Sequence, residues 1–483
     1  MGKFYLTTTI PYVNAPPHIG HALEFVQADA IVRYRRLMAG RENVRFLSGT
    51  DENAIKNVRA AEEAGVPVGA FVEKNAAAFR ELLGALNVEV DDFIRTTEER
   101  HVKGVQALWG ATKKEDLYKK TYRGLYCVGC ELFYKTEELN EDGECFEHPG
   151  KKLEEVEEEN YFFKLSNYEQ KLRELIESDT VRIIPDTKKN EVLSFVRRGL
   201  EDFSVSRPVE RSKGWGVPVP GEPSQTVYVW YDALANYITA LGYPDRNATL
   251  FKEFWLDNPV RVHLLGKGVS RFHAVYWPAM LMSAGLPLPT VELIHGYVTV
   301  DGQKMSKTTG NIVDPMELVK KYGADAVRYY LLREIPTFAD GDFRIKKFEA
   351  SYNTHLANGL GNLVNRIIKM AVLGNVKLNT GKSVFPKTSE YDEYMQGYEI
   401  QKAADYIWRA AISFCDGHIQ GREPFKLLKT DPEKAREEIE WLLGHLKRIG
   451  EMLQPMMPTT SATILDVVKN PKEISKPLFP RIT

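Results

Sequence analysis

Residues Phe4 to Ile10 (FYLTTTI) are β-branched and aromatic, and a Pro-rich turn follows from Pro11 to Pro17. Apolar residues then recur at three- and four-residue steps (Leu23, Val26, Ala30, Tyr34, Leu37) as far as Gly40, which stands where a left-handed helix cap belongs. Val44 to Leu47 reads as the next strand and ends in the polar turn Gly49-Thr50-Asp51-Glu52-Asn53. Strand, crossover helix and strand in this order confine the chain to the parallel βαβ unit of a doubly wound sheet. Thr226–Trp230 (TVYVW), Val260–Leu265 and Val291–Ile294 have the same texture and are expected to be further strands of it.

A length of 483 residues is too great for one ordinary domain. The pattern divides into a Rossmann-like α/β domain in two halves, 1–114 and 221–300, split by an insertion over 115–220. A connecting region over 301–351 and an all-α bundle over 352–483 follow. Helical segments are expected near 352–373, 391–420, 433–452 and 458–469. The acidic run from Leu153 to Asn160 reads as a solvated face or loop. Net charge is −2, so nucleic acid can be held only through local patches and not by a bulk basic field. The N-terminus lacks a secretory pattern, and no apolar run approaches the ~20 residues of a membrane helix, so a cytoplasmic protein without a membrane partner is expected.

Two motifs suit phosphate chemistry. Pro17-His18-Ile19-Gly20-His21 opens the first helix, whose N-terminus offers unpaired N–H groups to a phosphate. Gly20 permits close approach of a base or phosphate, and His18 and His21, one turn apart, can both donate to a phosphoryl oxygen. Two histidines at a helix start also serve as simple caps. The second motif, Lys304-Met305-Ser306-Lys307-Thr308, puts two ammonium groups beside hydroxyls, a set suited to a polyphosphate and its leaving pyrophosphate. Alone it is a commonplace surface loop; it is not a Walker loop, since GxxxxGK[ST] is absent. A third constellation is Cys127-Val128-Gly129-Cys130 with Cys145 and His148, two ligand pairs at knuckle spacing. These predict tetrahedral coordination of a structural zinc with no open position. Three of the four cysteines crowd here, as in a reducing compartment rather than a disulfide scaffold; Cys415 stands alone as a buried small hydrophobe.

Taken together, His18-Ile19-Gly20-His21, Lys304 to Thr308, and Tyr322-Gly323-Ala324-Asp325-Ala326 with Arg328 and Tyr329 resemble the HIGH and KMSKS signatures and following helix of class I aminoacyl-tRNA synthetases. The finer resemblance is to the methionyl-tRNA synthetase family, in the form with a single zinc knuckle. It is carried by Thr9-Ile10-Pro11-Tyr12, Gly49-Thr50-Asp51-Glu52, Val229-Trp230-Tyr231-Asp232-Ala233, Arg271-Phe272-His273 with Tyr276-Trp277-Pro278-Ala279, and His295-Gly296-Tyr297. The resemblance implies activation of L-methionine by Mg²⁺-ATP to methionyl-adenylate, then transfer to the terminal adenosine of elongator and initiator tRNA(Met).

It implies ATP contacts and catalytic charge stabilisation by His18, Gly20, His21, Lys304, Ser306, Lys307 and Thr308. It implies a thioether pocket of Ile10, Tyr12, Trp230 (on the VWxDA strand), Ala233, Tyr237, Val269 and His273, with Asp51 on the substrate ammonium. A buried His or Tyr donor near sulfur would add discrimination against leucine. The bundle would read the anticodon through Asn362, Arg366 and Phe425. No appended tRNA-binding domain is expected after Thr483, which favours a monomer.

The chain departs from the family at Asn53-Ala54 (usually His-Gly), at Gly268 (usually Asp) and at Phe203 (Trp in some members). The rival readings are a synthetase for leucine, isoleucine, valine or cysteine, and a catalytically silent RNA-binding relative. The first would carry a large editing domain or zinc at the substrate thiolate; the second has no use for paired lysines.

Overall fold

The computed structural model describes residues 2–146, 148, 150–305, 310–378 and 390–482. It divides into two compact units. The first comprises Met1–Pro17, Ala39–Glu81 and Glu89–His295, the second His18–Met38, Leu82–Val88 and Gly296–Thr483.

The first unit is built on a six-stranded parallel sheet of β1 (Phe4–Thr8), β2 (Val44–Thr50), β3 (Asp92–Arg95), β4 (Arg182–Ile184), β5 (Val260–Gly266) and β6 (Val291–His295). Their order is β3-β2-β1-β5-β6-β4, so the direction of winding reverses between β1 and β5. All five residues of β1 are buried, which explains a β-branched run without polar alternation. An isolated parallel bridge between Tyr12 and Asp51 extends the pairing beyond the ends of β1 and β2.

Two expectations are corrected here. Thr226–Trp230 is not a strand of the parallel sheet. Glu222–Val227 pairs instead with Pro218–Val219 and Ser206–Pro208 in a small antiparallel sheet, and Val229–Leu234 is a helix. Every residue of that helix is buried, so it shows no amphipathic period to separate it from a buried strand. The sixth strand is β4, which falls inside the span read as insertion.

A second antiparallel sheet, ordered Leu132–Tyr134, Leu117–Cys127, Glu154–Phe163, Phe203–Ser204, carries the cysteine cluster at one end. The acidic run lies on its third strand. There Glu155, Glu157 and Glu159 face solvent, while buried Glu158 accepts from Arg211 at 2.6 Å.

In the second unit, α1 (Ile19–Ala39) carries a fully buried aspartate, Asp29, paired with equally buried Arg328 at 2.6 Å. Arg328 also donates to the carbonyls of Met456, Pro455 and Leu86, so its guanidinium is satisfied on every side. The C-terminal half is helical. It includes α2 (Asn362–Leu373), α3 (Pro432–Leu453, capped by the Asp431 carboxylate) and α4 (Pro458–Lys469). The segment expected over 391–420 is broken between Glu390–Gln396 and Ile400–Tyr406, where Tyr398 takes a left-handed φ of 64°. Pro424–Thr430 forms a further short helix.

Candidate active site and metal centre

The histidine motif lies in the second unit at the start of α1. The His18 N–H donates to Nδ1 of His21 at 3.1 Å, and the Gly20 N–H donates to Nδ1 of His18 at 3.1 Å. Each Nδ1 is therefore an acceptor, which places the ring proton of both neutral imidazoles on Nε2. The rings stack at 3.9 Å. Burial holds His18 down to about 4 and, with the neighbouring His18, pushes His21 well below the ordinary histidine range. A Cβ at Gly20 would stand 3.0 Å from His18 Cε1 and 3.5 Å from the Met305 methyl. Met305 belongs to the second motif, and the Ile19 N–H donates to the Val313 carbonyl at 3.1 Å. The two motifs, nearly three hundred residues apart in sequence, thus meet at Gly20. Lys304 ends a short antiparallel pair (Thr299 opposite Lys304) and lies over the Tyr297 ring at 5.6 Å. Ser306, Lys307 and Thr308 lie outside the described residues.

The side chains expected to bind methionine lie in the first unit, and they pack together. Trp230 meets Tyr12 edge-on at 6.0 Å and His273 edge-on at 6.4 Å. Ile10 and Val269 are half-buried against the core that contains Ala233 and Tyr237. Phe272, missing from the sequence reading as a site residue, stacks flat on Trp230 at 3.7 Å. It sits in a π-helical turn, Phe272–Tyr276, which no sequence period signals. The His273 Nδ1–H reaches the Val269 carbonyl at 3.0 Å, leaving Nε2 of the neutral ring to accept from the Tyr237 hydroxyl at 2.7 Å. These two expected donors to sulfur therefore donate to Val269 and His273.

Asp51 and Glu52 divide their duties. Buried Glu52 is consumed by Arg95 (2.7 and 3.1 Å), Thr50 and Thr97. Asp51 accepts one long bond, 3.3 Å, from the Asn53 N–H. Burial, then Asp232 and Glu131, push its carboxyl well above the usual range, opposed by the Asn53 N–H and by Lys56. Of the departures, Asn53 donates to Asp232 at 2.7 Å and to the Thr96 carbonyl at 3.1 Å. Phe203 stacks on Tyr276 at 4.2 Å.

The four residues expected to hold a metal converge. The Sγ atoms of Cys127, Cys130 and Cys145 and the Nδ1 of His148 all lie within 4.8 Å of one another, with separations of 3.2 to 3.8 Å among the closer pairs. Four such atoms around a zinc at about 2.3 Å (S) and 2.0 Å (N) would stand this far apart, so the set fits a tetrahedral ion. The Tyr134 hydroxyl donates to Cys130 Sγ at 3.1 Å. Gly129 is obligatory, because a Cβ there would lie 2.5 Å from His148 Cδ2.

In the bundle, Asn362 lines a cavity of about 480 Å³ together with Asn358, Asn365, Phe479 and Arg481. Arg366, one turn along α2, is engaged by Asp416 at 2.9 Å. Phe425 is 46% exposed.

Residues 4–368 match the family model described as tRNA synthetases class I (M). The chain belongs to the class I methionyl-tRNA synthetases. Residues 371–477 match the anticodon binding domain of methionyl tRNA ligase. Among the family's curated members, the methionine–tRNA ligase of Brucella suis biovar 1 (strain 1330) is 41% identical over 490 residues, covering 98% of this chain and 92% of that one. That of Rhizobium meliloti (strain 1021) is 40% identical, covering 99% and 98%. Mycobacterium tuberculosis methionyl-tRNA synthetase in complex with methionyl-adenylate superposes with a TM-score of 0.90 at 36% identity over the whole of both chains. The synthetase fold expected from the motifs is therefore the one observed, a parallel-sheet catalytic domain followed by a helical anticodon domain. Among the described residues no helix is long and apolar enough to cross a membrane.

Proposed function

We propose that this chain condenses L-methionine with ATP to methionyl-adenylate and pyrophosphate, and then esterifies the 3′-terminal adenosine of tRNA(Met). In the first step a methionine carboxylate oxygen attacks the α-phosphorus. The bond to the bridging oxygen breaks, and pyrophosphate leaves with the electron pair. In the second step the 2′-hydroxyl of the adenosine attacks the carbonyl carbon and AMP leaves. Neither step needs a covalent enzyme nucleophile, so the rate comes from positioning and from charge stabilisation.

His18 and His21, both neutral with the proton on Nε2, are assigned to hydrogen-bond the α-phosphate as its charge grows. Lys304 and Lys307 are assigned to the departing pyrophosphate, with Gly20, Ser306 and Thr308 completing the ATP contacts. Mg²⁺ bound with ATP supplies counter-charge to the phosphate oxygens. Ile10, Tyr12, Trp230, Ala233, Tyr237, Val269 and His273 would hold the methionine side chain, and Asp51 its ammonium. Cys127, Cys130, Cys145 and His148 would hold a zinc that shapes the knuckle and leaves no position for substrate. Asn362, Arg366 and Phe425 are assigned to anticodon bases of elongator and initiator tRNA(Met). The active unit is read as a monomer in the cytoplasm, with the residue spans 1–114, 115–220, 221–300, 301–351 and 352–483 as functional regions.

The observation that carries this reading is the meeting of the two motifs, with the Met305 methyl 3.5 Å from the Cβ position at Gly20. Charging of a tRNA(Met) transcript by the purified protein tests it. Methionine and ATP should together yield aminoacylated transcript, and either alone none. Charging with leucine or valine in place of methionine would refute it.

A further inference from the structure

Lys56 takes no part in the assignments above, yet it stands at the join between the knuckle and the amino-acid pocket. It lies in the first turn of the helix Ile55–Glu63, where a cation works against the helix dipole and is not favoured for helix stability. Its Nζ donates to the Gly129 carbonyl at 2.8 Å and lies 3.4 Å from the centroid of the Tyr12 ring. Its backbone N–H donates to Glu131 Oε1 at 3.1 Å, which fixes the turn that carries it. The Tyr12 hydroxyl is buried and has no hydrogen-bond partner among the described residues, so the ammonium over its face is the polar contact that orients this ring. The next carbonyls of the same loop are used alike. Cys130 accepts from the Trp230 indole at 3.2 Å, and Glu131 accepts from the Tyr228 hydroxyl at 2.7 Å. Three consecutive carbonyls of the knuckle loop thus brace a lysine against Tyr12, a tryptophan and a tyrosine.

We propose that Lys56 is a positioning residue for amino-acid binding. Its ammonium, anchored on the Gly129 carbonyl, holds the Tyr12 ring edge-on to Trp230 and, through the Tyr12–Asp51 bridge, sets the carboxylate that receives the substrate ammonium. The inference rests on the methionine reading above. It differs from a role in folding because it acts on one substrate, through one ring.

The test uses the zinc-loaded, full-length protein. Methionine binding is titrated by tryptophan fluorescence, ATP KM is taken from pyrophosphate exchange, and zinc is counted per chain. Lys56→Met should weaken methionine about tenfold, between the effects of an exposed and a fully desolvated cation–π contact, with ATP KM and zinc content unchanged. Lys56→Arg should restore most of the loss. In a Tyr12→Leu background Lys56→Met should cost less than about twofold, because the ring it acts through is gone. If Lys56→Met does not fold, Lys56→Gln, which keeps a donor for the carbonyl without the charge, replaces it. Unchanged methionine affinity, an equal loss in the Tyr12→Leu background, or a loss that follows zinc content or ATP KM would each overturn the proposal. A wild-type protein that binds no methionine defeats the proposed function itself, whereas normal wild-type binding with an unaltered variant defeats only this inference.

Discussion

Trp230 and Phe272 lie face to face, ring centroids 3.7 Å apart and planes within 5° of each other. The stack fixes the indole from one side while its N–H is held by the Cys130 carbonyl, so the ring assigned to the methionine side chain is held by two contacts. Replacing Phe272 by Leu keeps an apolar volume but removes the stack. Losing the ring that packs on the indole should raise methionine KM up to about tenfold, ~1.4 kcal/mol, with kcat little changed. Steady-state exchange kinetics check it, and a fall in kcat at constant KM would assign Phe272 a different role.

The histidine pair makes a prediction about pH. Burial places His18 at about 4 and His21 well below its ordinary range, so both rings are neutral at and above neutrality. Lowering pH would protonate Nδ1 and break the bonds from the Gly20 and His18 N–H groups. Between about pH 6 and 8 the exchange rate at saturating substrates should therefore show no titration from these two residues. His18→Ala should cost about 10²–10³ in rate, as for loss of one preorganised donor to a developing negative charge. A rate that titrates near the ordinary histidine value and loses that titration in the variant would contradict the neutral-donor assignment.

Asp51 gives the opposite dependence. Its carboxyl is raised well above the usual range, chiefly by burial, so protonation competes with binding as pH falls through that raised value. The protonated form presents no charge to an α-ammonium; methionine affinity is full above the raised pKa and falls as pH drops through it. Asp51→Asn should bind methionine weakly and with no such slope, as measured by methionine KM across pH. A slope that persists in the variant would place the titrating group elsewhere.

Zinc retention at the proposed site should depend on a glycine. A Cβ at Gly129 would stand 2.5 Å from the His148 ring, so Gly129→Ala must displace the side chain proposed as the fourth zinc ligand. The variant should lose about 10–100-fold in zinc affinity by chelator competition and should melt at a lower temperature. An alanine variant with unchanged affinity would show that His148 is not a ligand.

A variant at Arg366 tests the two steps of the proposed reaction separately. Its guanidinium is paired with Asp416, and both side chains are about one-third exposed (34% and 31%). A partly exposed ion pair contributes little to stability, so Arg366→Ala should fold normally. If the residue reads an anticodon base, the variant should raise the KM for tRNA in charging and leave methionine-dependent exchange unchanged. Equal losses in both assays would indicate a structural role.

The parts of this molecule legible in the sequence were those written in local chemistry. The β1–α1–β2 order, the histidine motif and the two Cys/His pairs are each written in short runs of neighbouring residues, and their described residues lie where the pattern implied. What escaped was set by tertiary context. The Val229–Leu234 helix is buried all round and shows no amphipathic face, so it read as a strand. β4 is three residues long and joins the parallel sheet only through its register with β6. Phe272 reaches Trp230 from a π-helical turn, and Lys56 reaches Tyr12 from a helix start; neither contact has a sequence signature. The expected sulfur donors were chemically sound, but in the fold His273 donates to the Val269 carbonyl and Tyr237 donates to His273.

The central claim is that this chain activates methionine with ATP. Methionine-dependent exchange of labelled pyrophosphate into ATP by the purified, zinc-loaded protein measures that directly. The account predicts exchange with methionine, abolished by Lys307→Ala while methionine binding persists, and none with leucine, isoleucine, valine or cysteine. No exchange with methionine, or exchange at equal rates with a branched-chain amino acid, would contradict it.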